Sequence, residues 1–347
     1  MKQIKRKFAF LKGVLFDKER KSIFRLVKDL RKIKPGKNYL NYSNYFQSLM
    51  YKKNAGDLEN YFDGELMHKI ILSFNKKGKH PILENKIKFA YLMMENDIPI
   101  APYLGCIKSG ALIAKNNEKY DLSQKDEVTS IINQWINEFK ILFIKPTDTS
   151  GGTGILRLQL GDKIDLGEIQ FNKDYIVEKG LIQHAELDKI NPSCINSLRV
   201  ISIKENKNIY IPSCFLRIGI GTSFVDNASA GGFFVNYDLR KNLLDGIGFT
   251  KVGNGGKLYT LHPNTKFSFK DKKLPYPEKI ELLIKRAAQL FPDKNLIGWD
   301  IAYTADGPVI LEGNSNPSLQ GPQITLKGLN QNKIYKEYFA DLKHIDL

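Results

Sequence analysis

The chain has 347 residues, 42% of them hydrophobic and 26% charged, an ordinary globular composition long enough for two or three subdomains with buried cores. Fifty-three Lys and Arg against 37 Asp and Glu leave a net charge of +16, which favours an anionic partner: nucleotide, acidic glycan, nucleic acid or membrane surface. Residues 1–35 hold 13 Lys or Arg and three acids, so +10 of the +16 sits at one end, and the mildly basic remainder argues against a nucleic-acid binder.

The first segment, FLKGVLFDKERKSIFRLVKDLRKI, sets Phe10, Val14, Leu15, Ile23, Phe24, Leu26, Val27 and Leu30 among its cations in a pattern compatible with an amphipathic helix. Such a helix either lies on an anionic membrane surface or packs on the body with a solvated basic face. KPGKNYLNYSNYF then reads as a break, followed by a Tyr-rich helical region to about residue 75. Tyr39, Tyr42, Tyr45, Tyr51 and Tyr61 form either a sugar-stacking surface or ordinary packing at near-helical spacing. PILENKIKFAYLMMENDIPI places Leu83, Ile87, Ala90, Tyr91 and Met94 on one helical face, before an extended segment at Pro99.

From about residue 141 the pattern changes to short strand-like runs: ILFIKP, GILRLQL, DYIVEK, SLRVISIK, IYIPSCFLRI and GGFFVNY. They are separated by turn residues, as in a largely antiparallel sheet. PEKIELLIKRAAQLF is an amphipathic helix with Pro277 at its start and Ile280, Leu283, Ile284, Ala287 and Phe291 on one face. LIGWDIAYT and GPVILEGN close the series as a hairpin around Ala305-Asp306-Gly307. The order predicts an α+β fold with room for a cleft between its layers. Cys106, Cys194 and Cys214 stand far apart in no metal-ligand spacing, as expected of reduced thiols in a cytosolic protein. No apolar run approaches a membrane span and the N-terminus lacks the apolar core of a signal peptide, so the expected location is cytoplasmic.

The final hairpin carries the most specific chemistry. Glu312 and Asn314 are two positions apart in VILEGNSNPSL, so on a strand they offer oxygens to one point. Asp300 lies mid-strand among apolar residues, where an ionised carboxylate is costly unless paired or bound to a cation. Asp300 and Glu312 are equidistant from Asp306, which sets them across from each other on one face, where a divalent cation would remove their repulsion. Asn316 and Pro317 are left to make the turn.

A metal site of this kind serves phosphates, and FIKPTDTSGGTGI supplies a cradle for them. Lys145 ends an apolar strand, and the Thr147–Gly154 loop lets backbone N–H groups approach phosphate oxygens, although a plain Gly-rich hairpin loop reads the same way. It is neither a Walker A loop nor a dinucleotide fingerprint. The strand ending at Glu178, Lys179, Gly180 and Leu181 either presents backbone groups to the edge of adenine or is a strand end with a salt-bridged Glu. Arg199 and Arg217 sit inside strand-like runs, where each calls for an acid partner or a ligand anion, and Lys86 is a further candidate cation.

In this order the features resemble the ATP-grasp superfamily over roughly residues 80–325. The stretches QHAELDKINPSCINSLRV, LRIGIGTSFVDNASAGGFFVNYD and GWDIAYTADGPVILEGNSNPSLQGPQ look like its sugar-transfer-associated branch, also described as alpha-L-glutamate ligase-related and associated with capsule and exopolysaccharide biosynthesis. The resemblance implies two α/β subdomains clasping ATP between antiparallel sheets, with an extra basic helical N-terminus. The expected divisions are 1–75 (N-terminal region), 76–140 (linker subdomain), 141–182 (lid), 183–330 (catalytic subdomain) and 331–347 (tail helix).

It also implies an ATP-dependent carboxylate-amine ligase working through an acyl phosphate, with catalysis by positioning and charge neutralisation. By matching position, Lys86 and Lys145 would hold the α and β phosphates, and Thr149, Ser150, Gly151, Gly152, Thr153 and Gly154 would cover the β/γ end. Glu178, Lys179 and Leu181 would bracket adenine, and Glu186, with His184 as rival, would bind ribose. Asp300, Glu312 and Asn314 would hold two Mg²⁺, or Mn²⁺ in their place. Arg199 and Arg217 would stabilise the migrating phosphoryl group, with Asn227 arranging that end.

The family's helix motif often begins Asp-Lys where this chain has Asn85-Lys86, which puts Lys88 in competition with Lys86. The implied partners are carboxylate and amine substrates, small or glycan-linked, with no nucleic acid and with peripheral contact at the inner membrane face through the basic N-terminus. Two other functions use the same residues: an ATP-grasp kinase with a hydroxyl acceptor, and a non-catalytic nucleotide-binding partner of glycan-assembly proteins.

Overall fold

In the computed structural model the described residues are 13–33, 40–75, 78–149, 152–162, 164–165, 167, 169–170, 172–226 and 231–340. Two antiparallel sheets frame the cleft. The first contains β1 (Tyr103–Lys108), β2 (Ala111–Ala114), β3 (Lys119–Asp121), β4 (Ile141–Pro146), β5 (Leu156–Gln159) and β6 (Tyr175–Lys179), in the order β3-β2-β1-β6-β4-β5. The second contains β7 (Leu198–Glu205), β8 (Asn208–Ile218), β9 (Phe233–Asp238), β10 (Leu243–Thr250), β11 (Leu258–Tyr259), β12 (Leu296–Thr304) and β13 (Gly307–Asn314), in the order β11-β10-β9-β8-β7-β12-β13.

The boundary expected at residue 140 runs through the first sheet, because β1 pairs with β6 and joins the 103–121 strands to those after 141. The run of six strands expected from residue 141 divides between the sheets, three to each. β10 escaped the pattern because its glycines interrupt the apolar run. A Cβ on Gly248 would lie 2.6 Å from the Phe233 ring, and the β9–β10 register shifts just before it.

Alternation along each strand sends neighbours to opposite sides and so separates core from cleft. On the first sheet, Tyr175 and Val177 face the helix Lys125–Phe139 with its Val128, Ile132 and Ile136, while Ile176 meets Ile87 and Ala90 of the helix Lys86–Glu95 on the other side. Phe89 and Met93 of that second helix reach the other core, where Trp299 and Ile301 pack against Ile280, Leu283, Ile284 and Phe291 of the helix Pro277–Gln289 and its end. The Lys86–Glu95 helix is therefore wedged between the sheets, and Asn85 caps it by accepting from the N–H groups of Ile87 at 3.1 Å and Lys88 at 3.0 Å.

The N-terminal region covers the opposite face of the second sheet. Val14, Leu26, Ile33, Tyr45, Tyr51 and Tyr61 form one core with Phe215, Phe234 and Phe249. Buried Tyr45, Tyr51 and Tyr61 are packing residues, which excludes the sugar-stacking reading for them; Tyr42 is half exposed and Tyr39 lies outside the described residues. The expected tail helix is present at Lys333–Ala340, and residues 341–347 lie outside the described set.

Candidate active site

The β12–β13 hairpin pairs Asp300 directly with Glu312, as the count from Asp306 required, but by a different route. The turn is tight, with Thr304 opposite Gly307, and a plain ladder from there would set Asp300 against Leu311. A one-residue bulge at Leu311 restores the Asp300–Glu312 pair. The bulge also flips facing: Ile310 enters the core, whereas Glu312 and Asn314, at the same parity, turn to the cleft.

Asp300 is almost fully buried and pairs across the sheet with Arg199 of β7. Leu198 and Val200 on either side of Arg199 lie in the core, so alternation sends the guanidinium to the cleft face. Arg199 donates from Nε to Asp300 Oδ1 and from Nη2 to Oδ2 at 3.0 Å. Arg217 of β8 reaches Asp300 Oδ2 with Nη2 at 2.9 Å and Asp226 with Nε at 3.5 Å. Ser197 ties these together: its Oγ accepts from Arg217 Nε at 2.9 Å and donates to Asp226 Oδ2, which its backbone N–H also meets at 2.8 Å. Of the two alternatives for the arginines the acid partner is realised for each, and both side chains face the cleft.

The two facing carboxyls are shifted in opposite directions. Burial opposes ionisation of Asp300, but Arg199 and Arg217 outweigh it and hold this carboxyl below the usual range. Burial and the charge on Asp300 push Glu312 well above its ordinary value. One proton shared between facing carboxyls is what a divalent cation replaces, and the donor set is all hard oxygen, so the residues fit Mg²⁺. Among the described residues no cluster of three or more His, Cys, Asp or Glu could hold a metal, and a further oxygen donor on the same face is the Asn314 amide. The turn assignment needs correcting here: Asn314 Oδ1 accepts the Asn316 N–H at 2.8 Å, so Asn314 itself braces the turn and retains one lone pair for a ligand.

At the other side of the cleft, Lys86 donates from Nζ to the carbonyls of Pro146 at 3.1 Å and Thr149 at 2.5 Å, and so grips the start of the glycine-rich loop. Lys88 is exposed, and the geometry favours Lys86. Desolvation lowers the Lys86 ammonium, with Glu312 opposing and Lys145 adding to the fall, so these groups share one field with Glu178 and Asp148. Lys145 and Glu178 form a 2.5 Å ion pair, which realises the salt-bridged alternative for Glu178.

Lys179 points the other way, over the Phe139 ring at 5.2 Å, and its N–H donates to Pro102 O; the Gly180 N–H donates to Ile141 O. A part for Lys179 at adenine would therefore fall to its carbonyl, next to half-buried Leu181. In the loop, Thr149 Oγ1 donates to Thr153 O at 3.1 Å, Gly152 and Gly154 have φ of +81° and +72°, and Gly152 approaches Val225 of the segment that follows β8.

Glu186 is not brought to this cluster. It is exposed and ion-paired with Lys189 at 2.6 Å, beside His184, whose ring packs edge-on against Tyr276. Ser150, Gly151 and Asn227 lie outside the described residues. Sequence reasoning missed Ser197 and Asp226, although both adjoin quoted residues, and missed Gly298, where a Cβ would lie 2.6 Å from Pro317 and 3.4 Å from Arg199. It also missed Lys251, just past β10, whose ammonium is lowered by desolvation and by the charges of Arg199 and Arg217. Together these groups form a cleft with cations at both ends and paired carboxyls at one, suited to holding a polyphosphate and neutralising a phosphoryl group in transfer.

A family model described as sugar-transfer associated ATP-grasp matches residues 65–336. No curated protein matches. Among solved structures, D-alanyl-alanine synthetase A from Vibrio cholerae aligns at 16% identity and TM-score 0.45, over 75% of this chain and 64% of its own. Carboxyaminoimidazole ribonucleotide synthase from Aspergillus clavatus, complexed with ATP, aligns at 14% identity and TM-score 0.42, over 69% and 46%. A biotin carboxylase domain from Hydrogenobacter thermophilus, in complex with MgADP and bicarbonate, aligns at 12% identity and TM-score 0.42, over 78% and 48%. The chain spans less than two thirds of the length of each of these three.

Proposed function

The chain belongs to the sugar-transfer associated ATP-grasp family, and we propose that it is an ATP-dependent carboxylate-amine ligase. The observation that carries this reading is the pairing of Asp300 and Glu312 on one hairpin, with Arg199 and Arg217 locked behind them. In the reaction a substrate carboxylate oxygen attacks the γ-phosphorus of ATP, ADP leaves, and an acyl phosphate forms. An amine then attacks the acyl carbon, phosphate departs, and the amine proton is lost to solvent.

Asp300, Glu312 and Asn314 would hold Mg²⁺, whose chemistry is to screen the phosphate charges and polarise the P–O bond being broken. Lys86 and Lys145 orient the polyphosphate, and the loop excludes water from its terminal end. Arg199 and Arg217, already desolvated and fixed, meet the charge on the migrating phosphoryl group without reorganising, which is where such a site gains its rate. Lys251 adds a third cation to that end.

ADP release measured over a matrix of carboxylates and amines with Mg²⁺ tests the reading. ADP is expected only when both substrates are present; a phosphorylated acceptor that forms without amine and resists hydroxylamine would make the protein a kinase. We further assign the substrates to cell-surface polysaccharide assembly, with a glycan-linked carboxylate or amine as one of them. Cells lacking the gene should lose an amide-linked substituent from their capsule or exopolysaccharide by mass spectrometry; unaltered polysaccharide removes this assignment.

A further inference from the structure

We propose that the outward face of the N-terminal basic segment docks on an anionic lipid surface. The segment has two sides with opposite chemistry. Inward, Val14, Leu26 and Ile33 are buried in the core shared with Phe215, Phe234 and Phe249 of the second sheet, so its orientation on the body is fixed. Outward, the Phe16 and Phe24 side chains are 77% and 80% exposed, and Leu15, Ile23 and Val27 are exposed as well. Large apolar side chains so nearly bare, and gathered in one short segment, mark an interaction surface.

The charges are sorted in the same sense. Two of the three acids are turned inward and engaged: Asp29 by Lys21 at 2.7 Å and by the Tyr45 hydroxyl at 3.0 Å, and Asp17 by Lys52. Lys18, Arg25, Lys28, Arg31 and Lys32 are exposed, and Glu19 is the one exposed acid among residues 13–33. The pattern of protruding Phe, Ile and Leu ringed by Lys and Arg, with acids withdrawn, matches an interfacial segment that inserts its apolar tips while its cations meet lipid phosphates.

A second copy is a poorer occupant, because a two-fold contact through this face would oppose the same cations to each other. Nucleic acid would engage the cations but leave the aromatic tips without an apolar partner. No helix among the described residues is long and apolar enough to cross a membrane, so the contact is peripheral. The proposal is independent of the reaction, since none of these residues belongs to the cleft.

Deleting the segment would strip Val14, Leu26 and Ile33 from the core, so the test uses point substitutions on the outer face of the full chain. Flotation is run with vesicles of pure phosphatidylcholine and with vesicles containing about one third phosphatidylglycerol. The unaltered protein should float with the anionic vesicles, more weakly with neutral ones, and less as salt rises. The double variant Phe16→Asp/Phe24→Asp should bind at least about tenfold more weakly. Arg25→Gln, Lys28→Gln and Arg31→Gln should each cost about fivefold on anionic vesicles alone. Circular dichroism and melting temperature should match the unaltered protein, because these positions are solvent-exposed. Failure to bind anionic vesicles, binding that survives the double Phe variant, or dimerisation abolished by that variant without any vesicle binding would each overturn the proposal.

Discussion

At the β12–β13 end of the cleft Asp300, Arg199, Arg217 and Asp226 brace one another, whereas at the β4–β5 end Lys86 grips two backbone carbonyls at the start of a glycine-rich loop. Asp300 takes two guanidiniums and faces a carboxyl, and Arg217 is braced by Ser197 and Asp226. The Thr147–Gly154 loop has Gly152 and Gly154 at positive φ, a Thr149-to-Thr153 bond across it, and Lys86 donating to its Thr149 carbonyl. The first end is set before any ligand arrives, which suits charge stabilisation; the second joins a glycine-rich backbone to Lys86, which suits contact with a nucleotide. The contrast predicts that substitutions at the hairpin cost turnover, and some cost stability, while substitutions at the loop cost nucleotide affinity.

The largest effect is expected for Asp300→Asn, which leaves two buried guanidiniums short of their partner. Turnover should fall on the order of a thousandfold, and chemical denaturation should report a loss of about 3–5 kcal/mol. Glu312→Gln should lose turnover to a similar extent but not stability. In chelator it removes a carboxyl that burial and Asp300 disfavour as an anion, so its melting temperature should equal or exceed that of the unaltered protein. The sign in pH follows from the same shift. A carboxyl whose value is raised on folding lends stability that is complete at pH below the ordinary carboxylate range and is lost as pH rises through the raised value. Glu312→Gln should flatten that decline, and a steeper one would reverse the assignment of the two carboxyls.

Lys86→Met comes next. It frees the Pro146 and Thr149 carbonyls and removes a phosphate partner, so the KM for ATP should rise roughly tenfold or more with a smaller change in kcat. Gly152→Ala is the mildest of the set. A Cβ at φ +81° costs about 1–2 kcal/mol of loop strain, visible as a few-fold rise in the KM for ATP with a fall in melting temperature of only a few degrees. A large loss of turnover in either loop variant would erase the contrast between the two ends.

Where alternation governs, the sequence was readable. Arg199 between core residues Leu198 and Val200 declares its face, and so does the helix Pro277–Gln289. The Asp300–Glu312 pair was reached by symmetric counting, although the turn is tighter than that count assumed and the bulge makes up the difference. What lay beyond reach depends on contacts between remote segments. The Lys145–Glu178 ion pair joins strands far apart in the chain, and Asp226 acquires its meaning only when a loop meets Ser197 and Arg217. The strands β2 and β3, of four and three residues, carry too few to establish a period, and they join the first sheet through β1, whose own place depends on β6. Nor does periodicity reveal that the basic segment divides its apolar residues between an inner and an outer face, since that requires the sheet it packs upon.

The bulge at Leu311 makes the paired-carboxyl end sensitive to strand register as well as to residue identity. Were the same strand to pair as a plain ladder, it would retain Asp300, Glu312 and Asn314 yet set Leu311 opposite Asp300 and carry Glu312 to the same side as Ile310, into the core. Such a pairing would keep the motif Glu-Gly-Asn and lose the site, so the register across this hairpin is as much a part of the site as the residues themselves.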